Sequence, residues 1–326
     1  MHSSYASENI IGQTKKVLVS QYTLELPVHT EMSEAFLELD GIPVNITPGF
    51  LKDRTLREAE KEWRILELKN KNNTEHAAIR EQLPNGILFQ YDHMRITGQG
   101  LDGSDINKRV YSTLAYGWVE HLKIKLGNDD TLDSAQLVKD LLSKIKPLQS
   151  PPTSHATCFV QGCIEHSTLS ESTNILFKFK DFPALTASFR STPYIGEQLP
   201  SLSDQKLLDY NADDELIWKS KTHFKYHIFR NTKRQLNGYD GEEILYATTQ
   251  LSEGRYRTEV HATWYYPGLS GREESPEISI DLGFSYITSE QPSNPANFSE
   301  TGVGGSPSQA QFIMIWDTML NSLATR

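Results

Sequence analysis

At 326 residues, the chain exceeds the size at which a single hydrophobic core usually keeps growing, so two domains of roughly 150 residues are expected. Hydrophobic residues at 37% and aromatic residues at 10% exclude a disordered chain, and a formal charge of −10 argues against nucleic acid or an anionic leaflet as ligand. No run approaches the roughly 20 apolar residues of a membrane span, and Met1–Gln13 lacks the basic start and apolar stretch of a signal peptide.

In chain order, segment 1–13 is read as a disordered or processed start. Strand-like runs follow at Val17–Leu26 and Ala35–Ile46, then a strong helix at Asp53–Leu68 with Leu56, Ala59, Trp63 and Leu66 inward. Further strands are predicted at Gly86–Met94, Arg109–Trp118 and Val119–Leu126. The spacing of Val138, Leu141, Leu142 and Ile145 predicts a helix over Ser134–Lys146, with Asp133 as N-cap and Pro147 as the stop. A Pro/Ser-rich polar run at 148–155 then reads as a linker.

The second half repeats this order. Strands are predicted at Thr157–His166, Asn174–Arg190, Glu243–Gln250, Tyr256–Tyr266 and Ile278–Ile287, before a Gly/Ser/Pro-rich loop and a closing helix over Ser308–Leu323. On that helix Phe312, Ile313, Trp316, Met319, Leu320 and Leu323 form one stripe. The halves differ most in the middle, where the second has a long polar stretch at Glu197–Lys221. A degenerate tandem duplication accounts for the order. The expected fold is α+β: an N-terminal domain at 14–147 and a similar C-terminal domain at 156–326, each a mostly antiparallel sheet backed by helices, with a cleft between them.

The motifs of common chemistries are missing. There is no G-x-S-x-G nucleophile elbow, and Ser270 in Gly268-Leu269-Ser270-Gly271 reads as a turn after Pro267. There is no phosphate loop, and Gly98, Gly100 and Gly103 read as loop glycines. His223 and His227 have i,i+4 spacing but lie among β-formers without an H-E-x-x-H pattern, so neither a metal site nor a cofactor is expected. Asp209, Asp213, Asp214 and Glu215 resemble half of a calcium loop without its glycine and terminal glutamate; a charged loop suited to steering a partner is the expectation. Cys158 and Cys163 are the only cysteines. On one extended strand, positions five apart point to opposite faces, so a bridge requires a bend near Gly162; the bridged and free states both stay open.

Two segments carry a resemblance. Arg230-Asn231-Thr232-Lys233-Arg234 through Gly238-Tyr239-Asp240-Gly241-Glu242-Glu243 resembles the basic strand and G-x-x-G-E-E motif in the C-terminal domain of immunity proteins for type VI secretion lipase effectors. Trp316-Asp317, followed by an aliphatic residue and Ser322-Leu323, is similar to that family's closing helix, and Ser20–Pro27 with Leu39–Val44 to its N-terminal domain. The resemblance implies a non-enzymatic periplasmic protein that binds an injected phospholipase and blocks substrate access or lid opening, its two domains acting as jaws. Expected contact residues are Asp213, Asp214, Glu215, Tyr239, Asp240, Tyr265 and Tyr266. The alternative reading is a periplasmic lipid- or glycan-binding module.

Overall fold

The computed structural model describes residues 12–71, 78–100, 103–132, 134–148, 156–165, 171–193, 202, 224–272, 275–290 and 305–326. Among them are eighteen strands and three helices, and the sheets are mostly antiparallel. Several runs that read as one strand are hairpins. Val17–Leu26 is β1 (Thr14–Ser20) and β2 (Tyr22–Pro27); Ala35–Ile46 is β3 (Thr30–Leu39) and β4 (Ile42–Pro48). The reversals fall where the backbone turns left-handed, at Ser20 (φ 54°) and at Asp40-Gly41 (φ 52° and 74°), as two-residue hairpin loops require. Helix α1 (Lys52–Asn70) is followed by β5 (Ile79–Leu83), β6 (Gly86–Gln99), β7 (Asp105–Val119) and β8 (Leu122–Leu132). Gly98 therefore lies within a strand rather than a loop.

Helix α2 (Ala135–Lys144) starts at Ser134 and runs into the short strand β9 (Ile145–Pro147); Asp133 lies outside the described residues. After the linker come β10 (Ala156–Phe159), β11 (Gly162–Glu165), β12 (Glu171–Phe179) and β13 (Thr186–Thr192). The chain then continues through β14 (Phe224–Leu236), β15 (Tyr239–Ser252), β16 (Arg255–Tyr266) and β17 (Glu277–Thr288) to helix α3 (Gln309–Asn321) and β18 (Ala324–Thr325). Ser308 opens α3 with a capping box: its hydroxyl accepts from the Gln311 amide, and the Gln311 side chain accepts from the Ser308 amide. Ile315, not Ile313, completes the buried stripe of this helix.

The duplication is explicit in the strand order. Within the large sheet one run is β3-β4-β8-β7-β6-β5 and another β12-β13-β17-β16-β15-β14, so each strand of the first has its counterpart in the second. In both repeats a helix and a short strand follow, and in both a hairpin precedes: β1–β2 in the first, β10–β11 in the second.

The hairpins are exchanged. β2 takes β18, the last strand of the second repeat, as its neighbour, and β11 takes β9, the last strand of the first. The compact units consequently differ from the limits drawn at 148–155. Met1–Ser33 groups with Ser172–Arg326, and Glu34–Glu171 forms the other unit, with β3 carrying the chain from one to the other.

In the 34–171 unit the sheet is covered on both faces. Ala59 and Leu66 of α1 pack with Ile87, Phe89, Tyr91, Leu114, Tyr116 and Trp118, and Trp63 stacks on Phe89 at 5.4 Å. On the opposite face Gly86 and Gly117, paired across β6 and β7, leave a notch that the Leu142 side chain of α2 fills; a Cβ on either glycine would overlap it. The β10–β11 hairpin of this unit carries a Cys158–Cys163 disulfide. The chain reverses at Val160-Gln161, which places the two cysteines directly opposite one another, next to the closing Phe159–Gly162 pair. Their Cα atoms are 4.1 Å apart, the closer of the two antiparallel spacings. The bend needed for pairing is thus the hairpin turn itself.

Because each repeat's hairpin pairs with the other repeat's last strand, a chain cleaved within residues 149–155 should remain one species in size-exclusion chromatography. Fragment 156–326 produced alone should lack cooperative thermal unfolding, since it has lost β1–β2. Cooperative folding of the isolated fragment would contradict the exchange.

Candidate partner-binding surface

The residues that suggested a family come together on the inner face of the β14–β15–β16 sheet, beneath α3. Asn237 (φ 49°) and Gly238 (φ 86°) form the two-residue turn between β14 and β15. Gly241 serves a different need: its φ is not left-handed, and a Cβ there would overlap the indole of Trp264. That indole donates its Nε1–H to the Arg234 carbonyl at 2.9 Å.

Glu243, only 2% exposed, lies directly across from Thr232, which places Arg230 and Arg234 on its two diagonals. Its carboxylate accepts from Arg230 at 3.1 Å, Arg234 at 3.0 Å and the Trp316 indole at 2.8 Å. Asp317, the next residue of α3, accepts two bonds from Arg230 at 2.6 and 2.8 Å and one from Arg234 at 3.0 Å. Arg234 also donates to Asn321 at 2.7 Å. A buried carboxylate is tolerated only when paired and hydrogen-bonded, and two guanidiniums with an indole meet that condition. Burial pushes the Asp317 carboxyl up, but its hydrogen bonds from Arg230 and Arg234 outweigh this and hold it below the ordinary carboxylate range. The bond to Asp317 likewise outweighs desolvation at Arg230 and raises its guanidinium further above its ordinary value. The motif is a lock between strand and helix, not a reactive centre.

The expected contact residues separate. Tyr239 is half-buried, its ring 5.0 Å from that of Tyr266 and its hydroxyl 3.3 Å from that of Tyr22. Asp240 is exposed and accepts from Gln235 at 2.8 Å. Tyr265 and Tyr266 are corrected to scaffold: they are 5% and 9% exposed, Tyr265 packing with Leu202 and Ile244 and Tyr266 bonding Ser275 at 3.0 Å. Both sides of β16 are covered there, which leaves neither ring a surface to present. Asp209, Asp213, Asp214, Glu215 and His223 lie outside the described residues. His227 sits in β14, its ring edge-on to Phe229 at 4.7 Å.

The outer face of the same sheet holds an open cleft of about 460 Å³ that no motif announced. Strand register builds it row by row. Thr263, Asp281, Ser188 and Leu176 form one row across β16, β17, β13 and β12; His261, Gly283, Thr186 and Lys178 form the next. Gly283 contributes no side chain, and a Cβ there would come within 3.0 Å of His261 Nδ1, so the missing side chain deepens the middle of the cleft. Asp281 is held by three hydroxyls, with Ser188 and Ser279 donating to Oδ2 at 3.1 and 2.9 Å and Thr263 to Oδ1 at 2.8 Å. Along β16, Arg257 pairs with Glu259 at 2.9 Å, and His261 lies 3.7 Å from the other Glu259 oxygen. Among the described residues, no group of His, Cys, Asp and Glu is arranged to hold a metal ion.

Two outcomes test the lock. Glu243→Ala removes the buried carboxylate between Arg230 and Arg234, leaving both to the Asp317 carboxylate and the Trp316 indole without its acceptor, and should lower stability by about 3 kcal/mol in urea unfolding. Because the folded state depresses the Asp317 carboxyl, its contribution is complete above the unfolded value near 3.8 and is lost as pH falls through the lower folded value. Asp317→Asn should therefore flatten the acid limb of the stability curve below about pH 4 and leave its shape at neutral pH unchanged.

Residues 150–326 match the family described as Tle cognate immunity protein 4 C-terminal domain. No curated protein matches the chain. Among solved structures, the apo form of the type VI secretion immunity protein TplEi from Pseudomonas aeruginosa is 15% identical, covering 96% of this chain and 97% of that one with a TM-score of 0.58. The same protein complexed with "L" peptide gives the same identity and TM-score and covers 96% and 98% of the two chains. The structure described as the Tle4–Tli4 complex is 17% identical, covers 96% and 97%, and has a TM-score of 0.58. At these identities the structures speak for the fold. The sequence match, which takes in more than half of the chain and both segments of the Arg230–Glu243–Asp317 lock, establishes that the chain belongs to the Tle cognate immunity protein 4 family.

Proposed function

We propose that this protein binds a cognate type VI secretion phospholipase effector and inhibits it by blocking substrate access or lid opening, without catalysis of its own. The family match over 150–326 is the observation that carries the reading. It is supported by a fold shared with a protein described in complex with Tle4. Inhibition by occlusion asks for a rigid, specific surface, and the Glu243 lock and the two-sided packing of β16 supply rigidity.

We place the action in the periplasm. A Cys158–Cys163 bridge suits an oxidising compartment and would not persist in a reducing one. Both repeats are proposed to contribute to the grip.

Titration calorimetry against the purified phospholipase encoded beside this chain, with lipase activity followed in the same samples, tests the proposal. Nanomolar affinity, about −12 kcal/mol, with loss of activity at a fixed molar ratio is expected. Undiminished activity with no heat of binding, both proteins being folded, would overturn it.

A further inference from the structure

The outer-face cleft has an electrical polarity that specifies an occupant. Asp281 uses three of the roughly four acceptor positions of a carboxylate on neutral hydroxyls, and among the described residues it has no ion pair. A charge fixed in place by Ser188, Ser279 and Thr263, yet not neutralised, is preorganised for a cation from outside. Glu259, two rows away, is balanced by its pair with Arg257, so the uncompensated negative charge in the cleft is that of Asp281. His261, which lines the cleft one row from Asp281, offers an aromatic face beside this charge, a setting that favours a planar guanidinium over an ammonium. At the opposite margin Lys178 is exposed, and among the described residues it too lacks an ion pair.

We infer that the cleft receives an arginine side chain of the bound protein, its guanidinium meeting Asp281, with an acidic neighbour of that arginine over Lys178. The inference rests on the proposed binding of a protein partner and names the chemistry of its contact. The net charge of −10 favours a cationic element of a protein over an anionic membrane surface. The cleft is wide enough for one side chain and shallow enough to be reached without rearrangement of β12, β13, β16 or β17. Its use would fix specificity more than bulk affinity, because a charge pair at such a site rejects partners that cannot supply the cation.

Two variants of the full chain isolate the cleft from the rest of the fold. Asp281→Asn removes the charge while keeping groups that can bond the three hydroxyls, and Thr186→Trp fills the cleft from an exposed rim position. Both should melt within about 2 °C of the parent and bind the adjacent phospholipase at least tenfold more weakly in calorimetry. A second arm needs no effector: amide shifts of the labelled protein are followed on adding N-acetyl-arginine amide or the uncharged N-acetyl-citrulline amide. Shifts at Thr263, Asp281 and Gly283 with the arginine compound alone, abolished by Asp281→Asn, are expected. Effector binding by both variants within twofold of the parent would overturn the assignment, as would shifts equal for the two compounds. A parent that ignores the effector but still shows the arginine-specific shifts would instead remove the phospholipase reading and leave the cleft assignment standing. Binding to phosphatidylethanolamine vesicles that depends on Asp281 would overturn the commitment to a protein arginine.

Discussion

The constraint on which the architecture depends is the pairing of each repeat's hairpin with the other repeat's last strand. β2 has β18 beside it and β11 has β9, so neither repeat completes a unit from its own residues. A duplicated chain could have closed each copy on itself, since the strand orders are the same. The observed solution instead ties residues near position 23 to residue 324 through the Thr23–Ala324 pair, and couples the stability of one repeat to the presence of the other. For a protein that must hold a partner without yielding, such coupling keeps local opening from staying local.

The two faces of the second repeat's sheet divide the work. Inward, Glu243 is a carboxylate that only Arg230, Arg234 and Trp316 together can accommodate, and this fixes α3 to β14 and β15 with a specificity that apolar contact alone lacks. Outward, the same strands expose hydroxyls, His261 and Asp281 around a glycine gap. The inner lock limits how far β14 to β17 can shift, and the outer rows inherit that precision through register. Rigidity and recognition are therefore properties of alternate residues along the same strands.

Much of the fold was legible because it is local. Alternation along β15 to β17, the 3.6-residue stripes of α1 and α3, and the repeated order of elements depend on neighbours in sequence. The exchange of hairpins was not legible, since a strand's pattern says which face is buried and nothing about which distant strand it meets. The cysteines were judged as one extended run; the turn at Val160-Gln161 changed two opposed positions into a facing pair. Nothing in the local sequence of Tyr265 shows that Leu202, more than sixty residues away, covers it. Gly241 is a space-maker for Trp264, a partner more than twenty residues away that its own segment does not reveal. The cleft left no sequence signal: Ser188, Thr263 and Asp281 are ordinary until register sets them side by side.

The place of β18 also sets an order of events as the chain is made. The β1–β2 hairpin lies far ahead in sequence of Ala324–Thr325, the strand that covers its edge. Until that strand is made this hairpin waits with an open edge, while β9, β10 and β11 can already assemble. The 34–171 unit draws its strands from one continuous stretch, whereas the other is sealed only once β18 is present. A chain cut before Ala324 would keep one finished unit and expose one strand edge, the kind of surface that invites pairing with another chain.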